Sequence, residues 1–92
     1  MFKLRDAYRA AEILDLTFDK YSPEEFLDGL NIELEHGTMN PKTNVTNDDL
    51  ITTAKIALAH LNEYPNYYHP RYGLRSFERS LARILASEDN QN

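Results

Sequence analysis

The chain predicts a single all-α domain, about four helices around one core, and three observations carry that expectation. Four stretches repeat apolar residues at three- and four-residue spacing, each is bracketed by residues that start or stop helices, and no stretch alternates apolar and polar residues long enough to propose a strand. At 92 residues the chain can bury roughly 60–65% of its unfolded surface, enough for one modest core without staples.

The first helix is expected from Lys3 to Asp15, because Leu4, Ala7, Tyr8, Ala11 and Leu14 fall on one stripe. After the connector "LTFDKYSPEE", Ser22 offers a cap, Pro23 suits the first helical position and Glu25 can complete a capping box. The second helix therefore begins there, with Phe26, Leu27, Leu30 and Leu34 as its core stripe and Gly37 as the left-handed residue that ends it. "GTMNPKTNVTNDD" reads as a structured connector, its Asn, Asp and Thr oxygens within reach of the local backbone. Thr46 or Asn47 is expected to cap the third helix, with Asp48 and Asp49 meeting the positive end of its dipole. Leu50, Ile51, Ala54, Ala57, Leu58, Leu61 and Tyr64 make this the most buried helix, and Pro65 stops it. A second structured connector, "YPNYYHPRYG", holds four of the six tyrosines. The fourth helix is expected from Leu74 to Ala86, with Leu74, Phe77, Leu81, Ile84 and Leu85 on one side.

Composition narrows the functional classes. With no cysteine, neither a disulfide framework nor a thiolate metal site or nucleophile is available. The net charge is −5, and it is unevenly placed: residues 1–68 hold six Lys/Arg against twelve Asp/Glu, whereas 69–92 hold four Arg against three acids. An acidic body repels phosphate, so nucleic-acid binding by that part is not expected. The first twenty residues carry charge every few positions, which excludes a signal peptide or membrane span there and leads to an expected cytoplasmic location, in a host cytoplasm if the protein is phage-encoded.

"GLNIELEHG", "TNVTNDD" and "KIALAHLNEYPNYY" form an ordered set. Together they resemble a family of small bacterial and phage proteins of unknown function, whose signature runs Glu-Leu-Glu-His and then Ile-Ala-x-x-His-Leu-x-Glu-x-Pro-x-Tyr-Tyr. The resemblance covers residues 22–72 and falls on Glu33, Glu35, His36, His60, Glu63, Pro65, Tyr67 and Tyr68; it implies that residues 1–21 and 73–92 are helices appended to a shared centre. It carries no mechanism.

The polar members of that set allow two readings. Glu33-x-x-His36 and His60-x-x-Glu63 are i, i+3 pairs of the kind that hold metal ions in helical bundles, so His60, Glu63, His36 and Glu33 are metal-ligand candidates, and a metal-dependent hydrolase is the enzymatic alternative. In an antiparallel hairpin, however, His36 lies beside Asp48 and Asp49, while His60 and Glu63, roughly 20 Å further along, lie near Tyr21 and Glu24. On that geometry the two pairs stay apart and act as clasps: His36 on the start of the third helix, His60 bonded to Glu63 or to a tyrosine hydroxyl. No cofactor is expected, and no catalytic motif is recognisable. Tyr64, Tyr67, Tyr68 and Tyr72 are expected to close the end of the core with their hydroxyls outward, the alternative being a stacking platform or an anchor for a protein partner; the row of Arg71, Arg75, Arg79 and Arg83 reads either as a solvated face or as a contact surface suited to a protein partner or another copy of the chain. The expected role is that of an accessory protein acting by such contacts, inhibiting or modulating a host or phage protein.

Overall fold

The structure, a computed structural model, describes residues 1–69. Over these it is all-helical: α1 (Leu4–Leu14), α2 (Pro23–Glu33), a short 3-10 turn (Leu34–His36) and α3 (Leu50–Glu63). The expected fourth helix, with Tyr72, Arg71, Arg75, Arg79 and Arg83, lies outside the described residues.

α1 starts and stops where its sequence pattern does, and Ala7, Ala11 and Leu14 of the expected stripe do face the core, but the buried face is shifted toward Ala10. Ala7, Ala10 and Ala11 face inward, whereas Leu4 is 36% and Tyr8 51% exposed. Small alanines let the backbone of α1 approach the core closely, and Ala54 and Ala57 supply a matching small surface on α3. Tyr8 instead lies edge-on to Phe18, with ring centroids 6.2 Å apart. The connector after α1 does more than connect. Asp15 closes the helix in the left-handed region (φ 57°), Phe18 takes the same region (φ 55°), and Phe18 and Tyr21 pack around the fully buried Phe26.

At the start of α2 the Ser22 hydroxyl accepts from the Glu25 amide at 3.1 Å, with Pro23 in the first turn. The reciprocal Glu25 half of the capping box does not form among the described residues. The end of α2 departs from expectation. Gly37 is not left-handed (φ −102°); the helix tightens into the 3-10 turn and the Gly37 amide donates to the Leu34 carbonyl at 2.9 Å. Glycine is needed there for space, because a Cβ would collide with the Asp48 carboxylate.

Asp48 also corrects the start of α3. The cap is Asp49, whose Oδ2 accepts from the Thr52 amide at 2.9 Å and the Thr52 hydroxyl at 2.8 Å, in place of Thr46 or Asn47. Asn47 and Asp48 are both left-handed (φ 52° and 61°), which swings the Asp48 side chain back to accept from the Thr38 amide and hydroxyl. The His36 carbonyl accepts from the Val45 and Thr46 amides, closing the base of the same loop.

Bonds from the Thr38 hydroxyl and amide hold the Asp48 carboxyl below its ordinary range; bonds from the Thr52 amide and hydroxyl do the same for Asp49. A carboxylate depressed in the folded state contributes stability that is present above its unfolded value, about 3.9, and is lost as pH falls through the lower folded value. Protection of the Thr38 and Thr52 amides, measured against their intrinsic exchange rates, is therefore expected to fall in that acid window, and Asp48→Asn is expected to remove the Thr38 response while sparing Thr52. Identical exchange profiles for wild type and Asp48→Asn would contradict this.

The core itself is compact: Ala7, Ala10, Phe26, Leu30, Ala54, Ala57 and Leu61 are fully buried, and Tyr68 joins them from beyond the end of α3. Phe2 is drawn in at the other end of the chain by Asn31, which accepts from the Phe2 amide at 2.8 Å and donates to its carbonyl at 3.2 Å.

Candidate functional site

The last turn of α2, the last turn of α3 and the tyrosine connector meet at Glu33. Its side chain is 4% exposed, and Oε1 accepts from the Tyr68 hydroxyl at 2.6 Å while the His60 Nδ1 stands 2.9 Å from the same oxygen. The His60 Nδ1 is also 2.9 Å from the Tyr68 oxygen. Since the tyrosine's one proton is committed to Glu33, attraction across the remaining contacts requires that Nδ1 carry a proton and donate. That leaves Nε2 as the second ring position of a side chain that is 32% exposed.

Each partner is positioned by an identifiable local feature. Tyr68 enters the core because Gly29, one turn before Glu33, has no side chain: a Cβ there would lie 2.6 Å from the Tyr68 Cε2. Pro65 ends α3 with Tyr64 in an extended conformation (φ −150°, ψ 103°), and the turn that follows is fixed by the Tyr67 amide on the Tyr64 carbonyl and the His69 amide on the Asn66 carbonyl, both 2.9 Å. This turn lays Tyr67 flat on the His60 ring, 4.4 Å between centroids and 9° from parallel. Tyr64, placed on the core face by periodicity, is 38% exposed.

His60 is thus bonded to a tyrosine hydroxyl, as one of the sequence alternatives has it, but its carboxylate is Glu33 and not Glu63, which is exposed. The expected separation of the two i, i+3 pairs does not hold either. The His36 Nε2 lies 3.8 Å from Glu33 Oε2, so Glu33 stands between both histidines. The reason is register. Contacts between the two segments do run in opposite order, Gly29 meeting Tyr68, Glu33 meeting His60 and Thr38 meeting Asp48. The long connector, however, lets α3 start beside Thr38 and slide past α2, so that His60 faces Glu33 instead of Glu24. His36 turns its half-exposed ring toward Glu33 and Glu35 (Oε1 at 3.6 Å), and only its carbonyl touches the segment leading into α3. Among the described residues, no three His, Asp or Glu side chains are placed so that they could hold a metal ion.

Gly29 and the buried Thr53, whose hydroxyl donates to the Asp49 carbonyl at 2.6 Å, escaped the sequence reading. An isolated glycine inside a helical pattern was the available signal for the first, since such a residue usually marks a close approach.

A family model for a protein of unknown function, DUF5661, matches residues 6–78 and so takes in nearly all of α1, the whole of α2 and α3, and the tyrosine connector. The chain belongs to the DUF5661 family. No curated protein and no solved structure matches it. Membership of DUF5661 brings no activity with it, and chemical statements about this member rest on Glu33, His60 and Tyr68. No helix among the described residues is long and apolar enough to cross a membrane.

Proposed function

We propose that this DUF5661 protein is a non-enzymatic module that acts through protein contacts, with the ledge formed by Tyr64, Tyr67 and His60 as its contact surface. One observation carries the proposal: the connector after Pro65 is built rigidly. The Tyr68 hydroxyl is bonded to a buried carboxylate, its ring fills the space over Gly29, and Tyr67 is stacked on an imidazole that is itself bonded at Nδ1. An aromatic surface fixed before binding loses little conformational entropy on binding, and tyrosines are enriched where proteins meet. In its finer form the proposal is of a phage-encoded or phage-derived accessory protein that modulates a host or phage protein; its support is the resemblance of the signature alone. Such a partner contacts an acidic body, so binding is expected to weaken with salt.

A photo-crosslinking side chain in place of Tyr64 tests this in extract from the native host. A discrete adduct that is lost in a Tyr67→Ser background, with the variant still folded, is the expected result. A chain that stays monomeric and yields the same adducts with the crosslinker at Lys42 as at Tyr64 would overturn it.

A further inference from the structure

We infer that His60 Nε2 is an acyl-acceptor site, a nucleophilic nitrogen that takes an acyl group from small, neutral, activated acyl compounds, with Glu33 and Tyr68 as its positioning residues. The inference does not depend on the protein-contact reading, and it starts from the two nitrogens of one ring. Among the described residues, Nδ1 makes both of the ring's hydrogen bonds, to Glu33 Oε1 and to the Tyr68 oxygen. Nε2 makes none, and it is not one of the buried polar atoms that lack a partner, so it opens to solvent at the exposed part of the side chain.

The bonds at Nδ1 decide what Nε2 can do. The Tyr68 proton is committed to Glu33 at 2.6 Å, so the proton of the neutral imidazole resides on Nδ1 and the free electron pair on Nε2. A buried carboxylate on Nδ1–H fixes the tautomer and the ring, and it opposes the positive charge the ring gains as it reacts. Tyr67, stacked on one face at 4.4 Å between centroids, holds the plane of the ring. His36 lacks this arrangement. Its Nε2 stands 3.8 Å from Glu33 Oε2 and 3.6 Å from Glu35 Oε1, beyond ordinary hydrogen-bond length, and neither contact fixes a tautomer.

The surroundings select the electrophile. Residues 1–68 hold six Lys/Arg against twelve Asp/Glu, and Glu63, one turn on from His60, is exposed. Anionic phosphoryl groups are repelled there, whereas a neutral ester or anhydride is not. In the step, the Nε2 pair attacks the carbonyl carbon, an N–C bond forms and the C–O bond to the leaving group breaks. The leaving oxygen keeps that electron pair and takes a proton from water, while the acylated ring keeps Nδ1–H on Glu33. Water then attacks the acyl carbon, the N–C bond breaks with its pair returning to Nε2, and the carboxylic acid leaves as the surplus proton returns to solvent.

The test uses the full chain at about pH 8, where an ordinary imidazole, with a pKa of about 6.5, is neutral. Nitrogen-15 correlation spectra of imidazole-labelled protein read the tautomer, and limiting diethyl pyrocarbonate followed by peptide mass spectrometry ranks the histidines. Expected are Nδ1–H at His60 and carbethoxylation of His60 ahead of His36, although His60 is the less exposed, 32% against 47%. Glu33→Leu frees the Tyr68 hydroxyl to donate to Nδ1, which puts the ring proton on Nε2; the tautomer is expected to flip and the lead of His60 to be lost. Tyr68→Phe leaves Glu33 as the acceptor of Nδ1–H and is expected to preserve both, which keeps a comparison if Glu33→Leu does not fold. Nε2–H at His60 in the wild type or in Tyr68→Phe, His36 reacting first, or an undiminished lead in folded Glu33→Leu would overturn the inference.

Discussion

Tyr68→Ala is expected to lower the stability of the domain by about 3–5 kcal/mol, the range for truncating a large buried aromatic side chain. The ring is 6% exposed, sits in the core with Phe26, Leu30 and Leu61, and occupies space that Gly29 leaves open, so its truncation leaves a cavity in the core. A domain of this size holds roughly 5–15 kcal/mol in total, and the loss shifts its melting temperature by tens of degrees at the upper end. Urea unfolding read by circular dichroism measures it. Tyr68→Phe separates the ring from the hydroxyl: it keeps the packing, leaves Glu33 Oε1 with His60 alone, and is expected to cost about 1–3 kcal/mol. If Tyr68→Ala unfolded at the wild-type urea concentration, the connector would not be part of the core.

His60→Ala carries the second-largest expected effect, about 1–3 kcal/mol. The substitution removes one of two donors to a buried carboxylate oxygen and strips Tyr67 of the ring it stacks on. The effect falls short of the Tyr68 truncation because the Tyr68 hydroxyl still satisfies Oε1. His60→Gln is expected to recover part of the loss, since an amide can donate to the same oxygen. A His60→Ala protein as stable as wild type would show that the imidazole is not part of what holds the fold.

Much of the helical content was legible in the residues. α1 begins and ends within a residue of its expected bounds and α2 begins where Ser22 and Pro23 indicate, because those signals act within one helical turn. The break at Pro65 was legible too; the family resemblance picked out Glu33, His60, Tyr67 and Tyr68, but the antiparallel geometry expected from the residues kept Glu33 and His60 apart. Less visible was which face of α1 is inward. Periodicity ranks Leu4 and Tyr8 above Ala10 by hydrophobicity, but Ala10 is the one fully buried in the packed core.

Three facts belonged to the tertiary structure alone. Gly37 is glycine because Asp48 comes back across a loop ten residues long, and Gly29 because Tyr68 arrives from thirty-nine residues away; no local rule encodes either visitor. His60 meets Glu33 and not Glu63 because the register of α3 against α2 is fixed by the summed packing of Leu30, Ala54, Ala57 and Leu61 and by the path of the connector. Spacing within a helix places a side chain on a face, and the chain by itself determined that much: helices, a core stripe, and a short catalogue of polar residues. Which carboxylate a histidine finds is decided by the sliding of one helix along another, where a shift of a few residues costs no local signal and changes every partner.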